Sequence, residues 1–374
     1  MLRQLKEHKA DSRIFFRGER RMKKCLLPLL IAFACIALPA CSLVNGDALN
    51  CLSSQGNDDA VIDACNRTIA TGLLRGKILA YAHYSRASAW SRKGDHDRAL
   101  ADYDTVIGLD PENVYARNAR GNIWVIKKDY DRALADFDAT IGMSPKNVYA
   151  LNSRGNVWTI LKGYDRALAD FDAVIALHPA NLYALTHRGN VWAAKKDYDR
   201  ALADFDAAIR VDPKSSYVFN ERGNIWVAKK DYEHALADFD TAIGIDPRNI
   251  HPLNNRGNLW TAKNDYERAI ADFDAAIRID PKNAYGYNSR GYVWMRKKDY
   301  ERATADFDAA IGVDPRYDFA YSNRGYAWRG RGDVDRALAD FEAALRINPK
   351  NANALDGRAN VWMVRKDYAR ARRF

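Results

Sequence analysis

The sequence lacks the short motifs that announce catalysis. It holds no P-loop, no HExxH helix, no nucleophile elbow and no dinucleotide-binding glycine fingerprint. Its Gly-Asn-Val and Gly-Asn-Ile tripeptides fall inside helical stretches, so they are not phosphate loops. Aspartate pairs such as Asp204 and Asp206 return too regularly to be one acid–base couple. Catalysis needs unlike groups converging in one dry pocket, and translated copies of the same group do not supply that. His251, beside Pro252, reads as a local packing variant rather than a metal ligand. The expectation is therefore a protein that is not an enzyme, with no cofactor and no metal.

Long apolar runs are also missing, apart from Cys25 to Ala40. That run is too short for a comfortable membrane span. Met22-Lys23-Lys24 precedes it, and a short basic region before such a run is the pattern of a secretory signal. Residues 22–40 are read as the signal peptide, and residues 1–21 as a start-site artefact or extension. Leu38-Pro39-Ala40-Cys41 resembles the lipobox of bacterial lipoproteins, which implies lipidation of Cys41. The other outcome is ordinary cleavage beside Cys41. The expected location is the periplasmic side of a cell envelope, lipid-anchored to the outer membrane in the first case, soluble periplasmic or secreted in the second.

A strong charge excess is absent from the body of the chain. The net charge is +10, but residues 1–45 hold +6 of it, and both signs are mixed in nearly every later segment. A broad basic face for nucleic acid is not indicated. Cysteine is sparse, at five residues. Cys25 and Cys35 leave with the signal, so Cys51 and Cys65 remain, either as a disulfide in an oxidising compartment or as two buried small hydrophobes. A disulfide there would close a short loop and contribute about 3 kcal/mol.

What the sequence does have is a period. Pro111, Pro145, Pro179, Pro213, Pro247, Pro281, Pro315 and Pro349 recur every 34 residues, and nine tryptophans from Trp90 to Trp362 keep the same step. Eight repeats fill residues 80–351, and residues 352–374 form a partial ninth and cap. Residues 41–79 are a divergent helical lead-in. Such an array is one elongated domain whose repeats touch mainly their neighbours.

In residues 114–147, the pattern predicts a first helix over roughly 115–127 and a second over roughly 131–142. Ala133, Phe137 and Ile141 share one face of the second. Asp129 is placed to cap the second helix, and Asn147 to open the next repeat. Gly121 and its copies cost about 1 kcal/mol each in mid-helix, which implies close approach by the paired backbone.

Gly121, Trp124, Ala133, Phe137 and Pro145 stand in the order of the tetratricopeptide repeat, and the chain resembles that family over residues 80–374. The departure is an arginine ahead of each glycine, from Arg86 to Arg358, read as part of an arginine–carboxylate network with Asp136, Asp138 and their copies. The resemblance implies an all-α, right-handed superhelical solenoid of helix–turn–helix repeats, with first helices lining a concave groove. Exported bacterial members of the family look similar.

In such a groove the second, fifth, ninth, twelfth and thirteenth positions of each repeat face inward. The second position holds Tyr115, Tyr149, Tyr183 and Tyr217. The fifth holds Asn118, Asn152, Asn220, Asn254 and Asn288. The ninth holds Asn122, Asn156, Asn190, Asn224, Asn258, Tyr292 and Tyr326. Amides carry donor and acceptor together, and tyrosine adds rigid apolar area with a polar tip, so the set suits an extended peptide. A polysaccharide or peptidoglycan strand in an envelope assembly or secretion machine is the second reading, and an empty groove on a spacer the third. Met295, Arg296 and Arg329 stand where earlier repeats carry apolar residues, so an anchor for a carboxylate is expected at that end.

Overall fold

The computed structural model describes residues 46–53 and 57–366; the signal segment, Cys41 and the tail Arg370–Phe374 lie outside them. Among the described residues there are nineteen helices and no strand. The fold class is an all-α helical-repeat solenoid. The chain divides into two compact bodies, one ending at Val191 and one beginning at Trp192.

Local chemistry sets each helix end. In the type repeat the helices run Val114–Ile126 and Tyr130–Met143. Asn113 Oδ1 accepts the Ala116 N–H at 3.0 Å, and Asp129 Oδ1 accepts the Arg132 N–H at 3.2 Å. Each such cap satisfies a donor that the helix leaves free, an effect of about 1 kcal/mol. The turn between the helices closes through Lys128, whose φ is 62°, and the Asp129 N–H donates to Trp124 O at 2.9 Å. This left-handed closure recurs at Lys162, Lys196, Lys230, Asn264, Lys298 and Lys366, while Gly94 and Gly332 serve it in two repeats. A non-glycine residue there is strained, and only the surrounding hydrogen bonds hold it. The second helix ends at Met143, two residues ahead of Pro145.

The core follows the repeat. Phe137, Phe171, Phe205, Phe239, Phe273, Phe307 and Phe341 are fully buried, as is Ala133 with its copies. The mid-helix glycines differ from the expectation in one respect. A Cβ on Gly121 would lie 2.7 Å from Phe137 Cε1, and one on Gly223 would lie 2.6 Å from Phe239 Cε1. The glycine makes room for the aromatic ring of the paired helix, not for its backbone.

The arginine ahead of each glycine joins three helices. Arg222 donates from Nε and Nη2 to Asp238 at 2.9 and 2.6 Å, and from Nη1 to Asp206 at 2.6 Å. Asp238 lies on the second helix of the same repeat and Asp206 on that of the repeat before. Arg120, Arg154, Arg256, Arg290 and Arg324 repeat this fork. The carboxylates hold the guanidinium pKa of Arg120, Arg154, Arg222, Arg256 and Arg290 above its ordinary value, against the opposing effect of burial. A planar five-donor group is the side chain that meets two carboxylates at once, which lysine does not do.

The lead-in consists of helices Gly46–Ser53 and Asp58–Ala70, joined by a disulfide between Cys51 and Cys65. It closes the first repeat. Arg86 forks onto Asp102 as its copies do, but its third bond goes to Asn66 Oδ1 at 2.7 Å. Arg92 and Lys93 pair with Asp58 and Asp59.

Candidate functional site

The first helices present an exposed stripe and a buried one. At the second position Tyr115 is 48% exposed, Tyr149 40%, Tyr217 37% and Phe319 48%. Tyr183 and Tyr285 are half-buried. At the ninth position Asn122, Asn156, Asn190, Asn224 and Tyr326 are half-buried, and Asn258 and Tyr292 are exposed. These two positions meet between adjacent repeats. Asn258 Nδ2 donates to Tyr285 Oη at 2.7 Å. Tyr326 Oη lies 2.8 Å from Asn353 O and 3.0 Å from Asp356 Oδ2. Burial, with that carboxylate beside it, pushes the Tyr326 phenol up to about 12.

The fifth position does not join them. Asn118, Asn220, Asn254, Asn288, Thr186 and Ser322 are buried, and Asn152 is half-buried. Asn220 Oδ1 accepts from Asn255 Nδ2 at 2.9 Å, and Asn288 Oδ1 from Asn323 Nδ2 at 3.0 Å. Asn220 and Asn288 thus tie one first helix to the next, and the buried amides of this row offer a ligand nothing at the surface. The reason is angular: at 3.6 residues per turn, the fifth position lies about 40° round from the ninth, toward the following repeat. The expected three-rung ladder is thus a two-rung one, built from the second and ninth positions.

At the end where an anchor for a carboxylate is expected, both arginines are exposed and have partners within the chain. Arg296 is exposed, and its Nη2 donates to Asn264 Oδ1 at 3.0 Å. The exposed Arg329 guanidinium lies 4.9 Å from the Tyr326 ring centroid. His251 is half-buried and its backbone N–H is held by Asn249 Oδ1 at 3.1 Å.

One recurrent contact escaped the sequence reading. Arg98, Arg132, Arg166, Arg200, Arg268, Arg302 and Arg336 lie over Trp90, Trp124, Trp158, Trp192, Trp260, Trp294 and Trp328, at 3.6–4.7 Å from the ring centroid. His234 takes the same place on Trp226, with centroids 4.9 Å apart. Both partners sit at fixed positions in the repeat, so their common period was the available signal. The contact stabilises each hairpin by about 0.5–1 kcal/mol at this exposure.

Stacked hairpins whose first helices expose aromatic and amide groups define a helical-repeat scaffold. Family models place it more closely: tetratricopeptide-repeat models match residues 81–155, 161–216, 196–250 and 319–351, and a TPR-repeat model matches 257–298. These matches cover well over half of the sequence, and the chain belongs to the tetratricopeptide repeat family. Its fold is generally a non-catalytic scaffold for protein interactions. Among solved structures, a tetratricopeptide repeat protein from Parabacteroides merdae is 18% identical, with a TM-score of 0.54 over 67% of this chain and 98% of that one. The APC/C hetero-tetramer Cut9–Hcn1 is 14% identical, with a TM-score of 0.55 over 84% of this chain and 62% of that one. At these identities the likeness is one of fold. No curated protein matches the sequence.

Proposed function

We propose that this scaffold holds an extended polypeptide segment against the exposed stripe of its first helices, in the bacterial cell envelope. The observation that carries the reading is the exposure of large rings at the second position. Packing has buried the fifth-position amides and left these rings in water, beside amide or phenol groups at the ninth. A rigid ring with a polar tip gives contact area at low entropic cost, and a neighbouring amide matches the donors and acceptors of a peptide backbone. Repetition then adds weak rungs into useful affinity. Arg296 and Arg329 supply a cationic end for an acidic residue or a terminal carboxylate.

The envelope assignment rests on the signal-like segment 22–40 and on the Cys51–Cys65 bridge, since disulfides persist in oxidising compartments. Lipidation of Cys41 follows from its place directly after the apolar run, and the mass of the mature N-terminus tests it. An unmodified Cys41 sinks the anchor.

The test of the binding face is capture of peptides from an envelope-derived peptide library by the wild-type chain and by a Tyr217→Ala/Asn224→Ala/Asn258→Ala variant. Capture should fall by an order of magnitude in the variant, with circular dichroism unchanged. Retention of peptides by the variant, or retention of polysaccharide in their place, refutes the proposal.

A further inference from the structure

Two devices hold the starts of the first helices in the C-terminal body. One is a cap: Asn249 Oδ1 accepts the His251 N–H at 3.1 Å, and Asn351 Oδ1 accepts the Ala354 N–H at 3.0 Å. The other is a latch between neighbouring first helices, from Asn255 to Asn220 and from Asn323 to Asn288. Helix Ile250–Ala262 has both. Helix Asp318–Gly330 has the latch and no side-chain cap. Helix Ala352–Val364 has the cap, with Gly357 at the latch position. Helix Ala284–Arg296 has neither. There Ser289 takes the place of Asn255 and Asn323, and Asn254 Oδ1, the acceptor at this joint, is buried with no hydrogen bond.

The lost cap has a traceable cause. The third residue of a first helix is a fully buried alanine at Ala116, Ala150, Ala184, Ala320 and Ala354, and a glycine at Gly286. A Cβ on Gly286 would lie 2.9 Å from Asn283 Nδ2. The Asn283 side chain has turned into the space that methyl would fill, where it is fully buried and gives the helix no cap. The first backbone bond of the helix, from Tyr287 N–H to Asn283 O, is 3.4 Å long, against 3.0 Å at Leu151 and Leu355.

Each difference favours opening. A missing cap and a glycine in place of alanine each shift the opening of a helix start by about fivefold. Opening also admits water to Asn254 Oδ1, an acceptor that costs free energy while it is buried without a donor. From Asn288 onward the helix is secured again. Asn288 takes the Asn323 latch, and Arg290 forks onto Asp306 and bonds Asp274.

We infer that the first turn of this helix, residues 284–287, opens and re-forms while the rest of the repeat stays folded. The turn carries Tyr285, whose hydroxyl accepts from Asn258 of the repeat before. Closed, it joins the amide part of the exposed stripe to Tyr292 and Arg296; open, it releases that rung. Segments that move on binding come from the low-stability end of a fold, and a ligand lying across both repeats holds the turn closed. That link to binding rests on the function proposed above, and the opening of the turn does not.

Hydrogen exchange of the full chain without ligand, read by mass spectrometry of short peptides and corrected for intrinsic rates, tests this. The amides of residues 288–291 donate to the carbonyls of 284–287 only while the turn is formed. They should exchange about tenfold or more faster than those of 254–257, with 322–325 between the two. Gly286→Ala supplies the methyl and returns Asn283 to its cap, and should slow exchange at 288–291 by about fivefold or more. Ser289→Asn supplies the latch to Asn254 and should slow it by about fivefold. Asn255→Ser should speed exchange at 254–257 by a similar factor. Equal rates at the three helix starts, slowest exchange at 288–291, or wild-type rates there in a Gly286→Ala chain with unchanged circular dichroism each overturns the inference. The wild-type order decides alone where a variant fails to fold. Because every measurement uses the free chain, the outcome does not depend on whether the stripe binds a peptide.

Discussion

The two bodies are built from the same 34-residue repeat, yet they end their hairpins differently. The N-terminal body begins with a disulfide-bonded pair of helices and closes its first arginine fork with a neutral amide, Asn66. The C-terminal body uses carboxylates at both ends of every fork it completes, and its turns between repeats carry Lys214, Arg248, Lys282 and Arg316 where the first body has Glu112 and Ala180. Their cores are alike and their rims diverge. Core positions answer to packing shared by every repeat, while rim positions answer only to what lies outside, so the rims are where separate roles become visible.

The strongest way to break the comparison is at the core. Phe137→Ala in the first body and Phe239→Ala in the second should each cost about 3–5 kcal/mol in chemical denaturation. A large inequality would show that equal burial hides unequal packing. Next, Cys51→Ser/Cys65→Ser should cost about 3 kcal/mol, confined to the first body. Hydrogen exchange should rise over residues 46–109 and stay unchanged over 216–364.

The forks give a finer contrast. Arg222→Lys loses the bidentate grip on Asp238 and the bond to Asp206, and should cost about 2 kcal/mol. Arg86→Lys breaks one charged bond fewer and should cost about 1 kcal/mol, read as a smaller shift in denaturation midpoint. At the left-handed turns the bodies should agree: Lys162→Gly and Lys230→Gly should each stabilise by about 1 kcal/mol, because glycine adopts that conformation without strain.

The smallest difference is in pH response. Burial works to raise the pKa of Asp102, but hydrogen bonds from Arg86 and His83, together with their charges, hold it below the ordinary carboxylate value. Its stabilisation is therefore present above the unfolded value of about 3.9 and is lost as pH falls through the folded one. At the regular forks burial instead raises Asp170 in the first body and Asp272 and Asp306 in the second, whose contribution grows as pH falls, so the contrast is with the Asp102 fork alone. Acid should loosen residues 76–109 before 250–313, and Asp102→Asn should abolish that order in pH-dependent hydrogen exchange.

Much of this was legible in the chain. The period gave the hairpins, and helix ends came within a residue or two because capping side chains and prolines act locally. The network of Arg120 with the Asp136 and Asp138 positions was legible from their common period, and the structure adds which copies pair: Asp136 of the same repeat and Asp104, the preceding copy of Asp138. The candidate face was half legible. The family resemblance put Tyr115, Asn118 and Asn122 on one face, but Asn118 is buried.

The sequence by itself determined where hairpins begin and end, which residues fill them, and which charges pair, since each of those depends on spacing within one or two repeats. The tertiary structure decided which polar side chains still meet water. Only the angle at which one first helix lies on the next separates Asn220, sealed against Asn255, from Asn224, left half-open four residues away.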